Sequence, residues 1–560
     1  MWLYFWVTMA AAGKVSTVVV TVVDDLGFGD VGYNNPDMIT PTMNRLSANG
    51  VRLNQFYASP TCTASRAALL SGKHPMHLGL QDSIIHPSEP RGVPLDARLL
   101  SSKVPTTMKR VFIGKWHLGF CRRAYVPLRR GFDEFFGILV GGGDHYTHLS
   151  SSSFVTRGSK RATVMTGSNL WNDDLPAEDQ EGVHTTELYT QKAIEALNRH
   201  DKSIFLVLAY QAVHAPIQAP PTPACGERAM CWMVKQLDDA LKQIEATLLG
   251  RSWNSTLWFV LSDNGGILRH GSSNGDLRGE KGSYYEGGVR VPAFVSGGAV
   301  PRRSYDHLFH ITDVHATILG MLGVVDKDID GIDHTEALLW SSSSKPRAPR
   351  EELVHNVNSE LFGSAGALRV GDFKLVVEAR VTESEIYEYG QHMLQDDNWD
   401  PSELSQVIHQ KLLRTPGSTY LFNIHENPTE SDDMNLFEDP RYRAVRDMML
   451  AKWDELKNLS RPSTELWLDD GPLADPALFG GVWTPWRDDQ NYPYATYELA
   501  QHSLHPNLGG ASIPQPALLH SRRRLESSST CSSPPTTMMM MMTTLVFVAG
   551  LLTGRRLFVN

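Results

Sequence analysis

The sequence predicts an α/β protein, with a large domain built on a mostly parallel, mixed sheet flanked by helices and a smaller C-terminal domain holding an antiparallel sheet. Three observations carry this. Continuous β-branched and apolar runs recur through the first 300 residues, as in strands buried on both faces. Segments with apolar residues at helical spacing separate them, the alternation of a parallel sheet. After about Pro346 the pattern changes to short strands joined by a tight turn.

Taken in order, Val15 to Val23 is the first buried strand, ending at Asp24-Asp25-Leu26-Gly27. Thr40-Pro41-Thr42 opens an amphipathic helix to Asn49, Pro suiting its first turn. Val51 to Tyr57 reads as one strand leading to Ser59-Pro60-Thr61-Cys62. There polar residues give way to Ala67-Ala68-Leu69-Leu70, so a helix begins near Cys62 and places Arg66 one turn on, on the same face. Val111 to Gly114 is a short apolar run ending at Lys115-Trp116-His117. Glu187 to Leu197 is helical in period, Ile204 to Tyr210 is a strand running into His214, and Met230 to Leu248 is a helix. Ser255 to Leu261 is a strand ending at Asp263-Asn264-Gly265-Gly266. A Gly-rich stretch from Leu277 to Pro292 carries Lys281, and Ala293 to Ser296 is a strand. Beyond Pro346, Ala367 to Val377 reads as a hairpin around a Gly-Asp turn, Thr419 to Ile424 as a strand and Tyr442 to Leu456 as a helix.

Composition narrows the function. At 41% hydrophobic and 20% charged the chain is globular, and a net charge of −10 lacks the basic footprint of a nucleic-acid partner. Five scattered cysteines make no disulfide framework, although Cys225 and Cys231 are close enough to pair. Residues 1–13 are apolar and end in small residues, the pattern of a signal segment without its positive start. Residues 501–537 form a low-complexity linker. Residues 538–554 are apolar and followed by Arg555-Arg556, which reads as a membrane segment or anchor against the plainer alternative of a disordered, low-complexity tail. Between these ends, residues 14–345 are assigned to the large domain and 346–500 to the smaller one.

Asp24-Asp25, Lys115 with His117, His214 and Asp263-Asn264 all follow strand-like runs, where ligands bind in open α/β sheets. Each has an ordinary reading alone: a turn, a cap, a solvated lysine, a small buried cysteine. Together they describe one chemistry. Asp24, Asp25, Asp263 and Asn264 offer only oxygen, which suits Ca2+, or less well Mg2+, rather than zinc. Lys115, Lys281 and Arg66 would balance an anionic substrate, and His117 and His214 would donate hydrogen bonds or move protons. Cys62, at an anion-friendly helix start, is the candidate nucleophile. Sulfate and phosphate esters both fit.

Cys62-Thr63-Ala64-Ser65-Arg66 resembles the signature C-x-P/A-x-R of the type I, formylglycine-dependent sulfatases. The motifs at Asp24, Gly114-Lys115-Trp116-His117, Asp263 and Arg278-Gly279-Glu280-Lys281-Gly282 fall in that family's order. Gln211 to Pro216 and Glu286-Gly287-Gly288-Val289-Arg290 resemble its arylsulfatase B-like members. The resemblance implies an alkaline-phosphatase-like fold and hydrolysis of sulfated sugars or aryl sulfates, with N-acetylgalactosamine 4-sulfate as the subgroup's substrate. It implies that a formylglycine-generating enzyme oxidises Cys62 to formylglycine, whose hydrate attacks sulfur. Asp24, Asp25, Asp263 and Asn264 would hold one Ca2+ against that hydrate, so position 62 counts among the ligands. Arg66 and Lys115 would hold the hydrate, Lys281 and His214 would bind sulfate and the leaving alcohol, Asp263 would serve as base, and His117 would help release sulfate. The family further implies the secretory pathway, with a lysosomal, extracellular or tail-anchored enzyme, and the sequons at Asn254 and Asn458 then become glycosylation sites.

The sequence departs from the family at several places, among them a compressed segment from Ala224 to Cys231 and the absence of most of the subgroup's disulfide cysteines. Ala64 stands where eukaryotic relatives usually have Pro, and the segment from Leu100 to Ile113 is too short for the helix that normally precedes Gly114-Lys115. Two other readings stand beside the sulfatase: a phosphoester or phosphonate hydrolase of the same superfamily, and a catalytically silent glycan-binding membrane protein in which Cys62 remains a thiol.

Overall fold

The computed structural model describes residues 15–488 apart from 82–83, 156–161, 178–179, 201, 341–346, 358–364, 378–418 and 463–469. The expected signal segment, low-complexity linker and C-terminal apolar segment lie outside the described residues. Among the described residues, no helix is long and apolar enough to cross a membrane.

The framework is a ten-stranded mixed sheet. Thr17–Val23 lies at its centre, parallel to Ile204–Ala209 on one side and Thr256–Ser262 on the other. Lys109–Lys115 and Glu134–Ile138 extend the parallel block. Antiparallel strands finish both flanks, Ala293–Ser296 beside Thr256–Ser262 and Leu170–Asn172 beside Glu134–Ile138. The continuous apolar runs are explained by burial on both faces. Val19, Val23, Leu206, Leu208 and Val260 join a core with the helices Thr185–Arg199 and Ala229–Leu249. On the alternate set, Phe112 and Phe205 pack with Phe132 and Trp116.

The helix Pro41–Asn49 receives no cap from its own Thr40. Its Thr42 and Met43 amides donate instead to the Asp238 carboxylate at 3.0 and 2.8 Å, which satisfies amides the helix leaves open and pins it to Ala229–Leu249.

The single strand expected over Val51 to Tyr57 is broken. Val51–Leu53 pairs within the large sheet, whereas Phe56–Tyr57 pairs with Phe309–His310 in a separate two-stranded ribbon. Asn54 marks the break, its side-chain amide donating to Ser304 and Asp306. Before Lys115, where the sequence is too short for the helix that the resemblance implies, the chain has a short 3-10 turn at Leu100–Ser102. Cys225 and Cys231 form a disulfide.

After Arg350 the chain builds a four-stranded antiparallel sheet of Glu352–Val357, Gly366–Val370, Phe373–Val377 and Tyr420–Asn423. The helix Arg443–Leu459 covers it, burying Met449 and Trp453 against Leu368, Leu375 and Leu421.

Candidate active site

The parallel strands deliver their carboxyl ends to one rim. Thr256–Ser262 presents Asp263 and Asn264, Thr17–Val23 presents Asp24 and Asp25, Ile204–Ala209 leads to His214, and Lys109–Lys115 ends on Lys115. Lys115 is set by a tight crossing. A Cβ on Gly114 would lie 1.8 Å from the Ala209 carbonyl oxygen, and Gly114 has φ of +108°, so only glycine lets the strands approach there. The helix Cys62–Ser71 points its N-terminus at this rim and is buried along its whole length.

Oxygen atoms of Asp24, Asp25 and Asp263 and the Cys62 sulfur all lie within 4.8 Å of one another. The thiol is 3.5 Å from Asp24 Oδ1 and 3.9 Å from Asp25 Oδ1. Cations ring the acids. Lys115 Nζ is 2.5 Å from Asp24 Oδ2, and Lys281 Nζ is 2.9 and 3.0 Å from the two oxygens of Asp25. Arg66 donates from Nε to Asp263 Oδ2 at 2.9 Å and from Nη1 to the Lys115 carbonyl at 2.8 Å, and its Nη2 lies 2.8 Å from the same Asp263 oxygen as an ion pair. Asn264 donates to Asp25 at 2.7 Å, and its own Oδ1 is buried without a partner.

Burial sets the protonation of these groups. It pushes the Cys62 thiol up to about 12 against the pull of Lys115 and Lys281, so the thiol is neutral at physiological pH. Burial and the neighbouring Asp24 push Asp263 up to about 6. Burial would also raise Asp25, but Lys281, His214 and Lys115 together hold it well below the usual carboxylate range. His214 is lowered to about 4 by burial and by Lys281, with Asp25 opposing. Its Nδ1 donates to the Ala215 carbonyl at 2.7 Å, leaving Nε2 directed at Asp25, 3.8 Å away.

His117 sits slightly apart, held at φ +56°. Its Nε2 donates to the Ile85 carbonyl at 3.1 Å and its buried Nδ1 has no partner. Burial and the nearby Lys115 keep this ring neutral. Every site residue expected from the sequence therefore lies in or against one cluster, with His117 joined to the rest by electrostatics rather than by a side-chain hydrogen bond.

Three supports are not signalled by the motifs themselves. The Thr63 hydroxyl donates to the His117 carbonyl and accepts from the Ile85 amide, tying the helix start to the His117 loop. The glycine run at 141–143 packs against both histidines. A Cβ on Gly141 would lie 2.6 Å from the His117 ring and one on Gly142 would lie 3.2 Å from the His214 ring. That triple glycine is the available signal. The third is a buried ion cluster behind Lys281. Lys374 Nζ is 2.9 Å from Glu286 and 2.8 Å from Glu430, and Glu430 also accepts from the Glu286 amide. Nothing local in the sequence connects these residues.

The sequence matches the Sulfatase family model over residues 16–324. It is 33% identical over 513 residues to arylsulfatase J of Mus musculus, covering 85% of this chain and 81% of that protein. It is 32% identical over 363 residues to mouse N-acetylgalactosamine-6-sulfatase, covering 59% and 67%. Against human arylsulfatase A the figures are 30% over 397 residues, covering 65% and 75%. Among solved structures, that of Ps i-CgsB in complex with k-i-k-neocarrahexaose aligns with a TM-score of 0.64 at 22% identity over 80% of this chain and 94% of that one. The PsFucS1 sulfatase from Pseudoalteromonas sp. aligns with a TM-score of 0.59 at 21% identity over 81% and 94%. These structural likenesses show the shared fold.

Proposed function

The chain belongs to the sulfatase family and is a sulfuric ester hydrolase, and on that premise we propose that it cleaves sulfated sugars or aryl sulfates using position 62, converted to formylglycine, and one Ca2+. The observation that carries this reading is the convergence of Asp24, Asp25, Asp263 and Cys62 within 4.8 Å, ringed by Lys115, Lys281 and Arg66.

The residues present fit the ion. Asn264 Oδ1 is a buried oxygen without a partner among the described residues, beside three carboxylates, and Asp263 is raised first by burial and then by the neighbouring Asp24, a repulsion a cation would relieve. An all-oxygen set around a flexible carboxylate cluster suits Ca2+ better than Mg2+. Asp24, Asp25, Asp263 and Asn264 would hold it beside position 62. Once bound it would act as a Lewis acid on a sulfate oxygen. Formylglycine fits for a complementary reason: a thiol near 12 is a poor nucleophile. The hydrate of formylglycine would supply one hydroxyl able to attack sulfur and a second that would let sulfate leave by C–O cleavage.

The chain's own residues supply the rest. Arg66 and Lys115 orient position 62. Asp263, kept in place by the Arg66 fork, takes the proton of the attacking hydroxyl. Lys281 and His214 bind the sulfate oxygens. The arriving anion favours the imidazolium of His214, whose Nε2 passes its proton to the leaving alcohol. His117, donating from Nε2 to Ile85, leaves Nδ1 to accept a proton as sulfate is released.

The Cys225–Cys231 disulfide and the exposed asparagines of both sequons support an oxidising, secretory compartment, lysosomal or extracellular, where a formylglycine-generating enzyme is the required partner. Within this reading residues 14–345 form the catalytic domain and 346–500 the smaller one.

Mass spectrometry of the peptide containing Cys62 tests the proposal. Formylglycine with turnover of an aryl sulfate in preference to the matching aryl phosphate is expected. An unmodified cysteine in protein from a competent host would overturn the enzyme reading in favour of a silent glycan binder, and preferred phosphate turnover would favour the phosphoester hydrolase.

A further inference from the structure

A cavity of about 420 Å³ opens on the same rim, and none of the catalytic cluster lines it. Asn54 and Asp306, the first residues beyond the parallel strands Val51–Leu53 and Arg303–Tyr305, line it. Pro292 and Ala293 line it as well, where the antiparallel strand Ala293–Ser296 begins. In the sheet order, Val51–Leu53 lies two places from the strand that carries Asp263. At ~4.8 Å per strand the cavity is displaced from the catalytic cluster by about 10 Å. One loop serves both, since Phe28, which lines the cavity, comes closely after Asp25.

The charges are layered. Arg52, Arg290 and Arg369 line the interior side, whereas the acids that share the cavity, Asp306 and Asp372, are exposed at its mouth where water and salt screen them. Arg369 is committed to Gln55 and Tyr57, and Arg290 to the Asn54 carbonyl at 3.0 Å. Arg52 is different. Its guanidinium stacks 4.7 Å from the centroid of Tyr33 and finds no carboxylate or hydrogen-bond acceptor among the described residues. A guanidinium oriented by stacking, with its donor fork unused, is arranged to take a planar or tetrahedral anion through paired hydrogen bonds. Asn34 and Asn54, whose amide groups donate to the Phe28 carbonyl and to Ser304 and Asp306, also line it with the Phe28 ring that Arg290 overlies, a mixture of flat apolar surface and short polar groups.

We propose that this cavity binds an acidic sugar unit, one bearing a carboxylate or a second sulfate, with Arg52 receiving the anion. This rests on the proposed function, in which glycans are substrates. The unit comes either from the substrate's own chain, beyond the sugar whose sulfate is removed, or from a separate acidic glycan.

The test compares Arg52→Ala and Arg52→Lys with the unsubstituted enzyme on a sulfated oligosaccharide and on 4-nitrophenyl sulfate. The readout is the ratio of the two kcat/KM values within each protein, which cancels any loss of folded or converted enzyme. If the acidic unit belongs to the substrate chain, the ratio falls about tenfold or more in Arg52→Ala, mainly through KM, and is partly recovered in Arg52→Lys. If it belongs to a separate glycan, the ratio holds, but direct binding of an unsulfated, glucuronate-containing oligosaccharide weakens by a similar factor. An unchanged ratio together with unchanged oligosaccharide binding overturns the proposal. Absence of turnover on both sulfates by the unsubstituted enzyme would instead count against the catalytic reading, and the binding measurement would still decide the cavity.

Discussion

Asp263 sits where two demands meet. Its Oδ2 accepts from Arg66 Nε and pairs with the charge on Nη2, and its Oδ1 accepts the Asp25 amide at 3.2 Å. The carboxylate therefore holds an arginine and a backbone turn, and on the proposed function it would also take a share of the metal. Asp263→Ala is expected to remove bound calcium and to lower aryl sulfate turnover about 10²-fold or more, read by elemental analysis alongside kinetics. Full activity with calcium retained would refute the metal assignment. The acids at the ends of apolar runs are legible in the sequence because a strand buried on both faces is unmistakable and the residues just beyond its carboxyl end must emerge at the rim. The tautomers of His117 and His214 are not legible, because they are fixed by the carbonyls of Ile85 and Ala215, which only the fold brings to the rings.

Among the elements, the Gly-rich segment carrying Lys281 is gripped at both ends by the smaller sheet. Arg278 donates to the Glu430 carbonyl at 2.8 Å and stacks on Tyr285 at 4.1 Å. On the other side of Lys281, Glu286 meets Lys374 in a fully buried pair. Burial, with Lys374 opposing and Glu286 adding to it, pushes Glu430 up to about 7. Lys374→Met removes the cation that lies between these carboxylates, leaving Glu286 only Arg290 at 3.7 Å, and is expected to cost about 3–5 kcal/mol in denaturant unfolding. The loss should be smaller at about pH 5.5 than at pH 8, since a proton on Glu430 substitutes for the missing charge. A loss independent of pH would show that lost packing rather than charge dominates. This grip cannot be read from the sequence, since its partners are far apart along the chain. The Val51 to Tyr57 run fails as a single strand for a related reason. Its residues all favour strand, and only the change of pairing partner at Asn54 breaks it in two. The hairpin of Leu149–Val155 and Ala162–Ser168 escapes a sequence reading because a run of serines carries no apolar alternation to declare it.

Across the whole molecule, acid is expected to be destabilising because several histidines are buried neutral, all but His145, which meets the His214 carbonyl, away from the site. Burial, only partly offset by Asp330, lowers His74 to about 4, and burial lowers His145 and His315 to about 3. His310 and His355 are held well below the usual range, again chiefly by burial. For His74 the unfolded chain binds more protons than the folded one between pH 6.5 and about 4. Its contribution is intact above 6.5 and is lost as pH falls through that window, by about 1 kcal/mol near pH 5.5. Asp30 and Glu430, both raised to about 7 and chiefly by burial, act in the opposite sense, holding protons in the folded state that the unfolded chain releases. The histidines outnumber them, so melting temperature should fall from pH 7 to 5, and His74→Asn should flatten that slope. A melting temperature that rises toward pH 5 would refute this balance.

Cys62 is 1% exposed, at the start of a helix that is buried at every residue. No modifying enzyme can draw that residue out of the finished protein without unravelling the helix and the rim it closes. On the proposed conversion, oxidation has to overtake folding on the nascent chain, so each molecule would be made competent or incompetent once, at birth. The active fraction of a preparation then records the outcome of a race in the producing cell, and no later treatment of the folded protein can raise it.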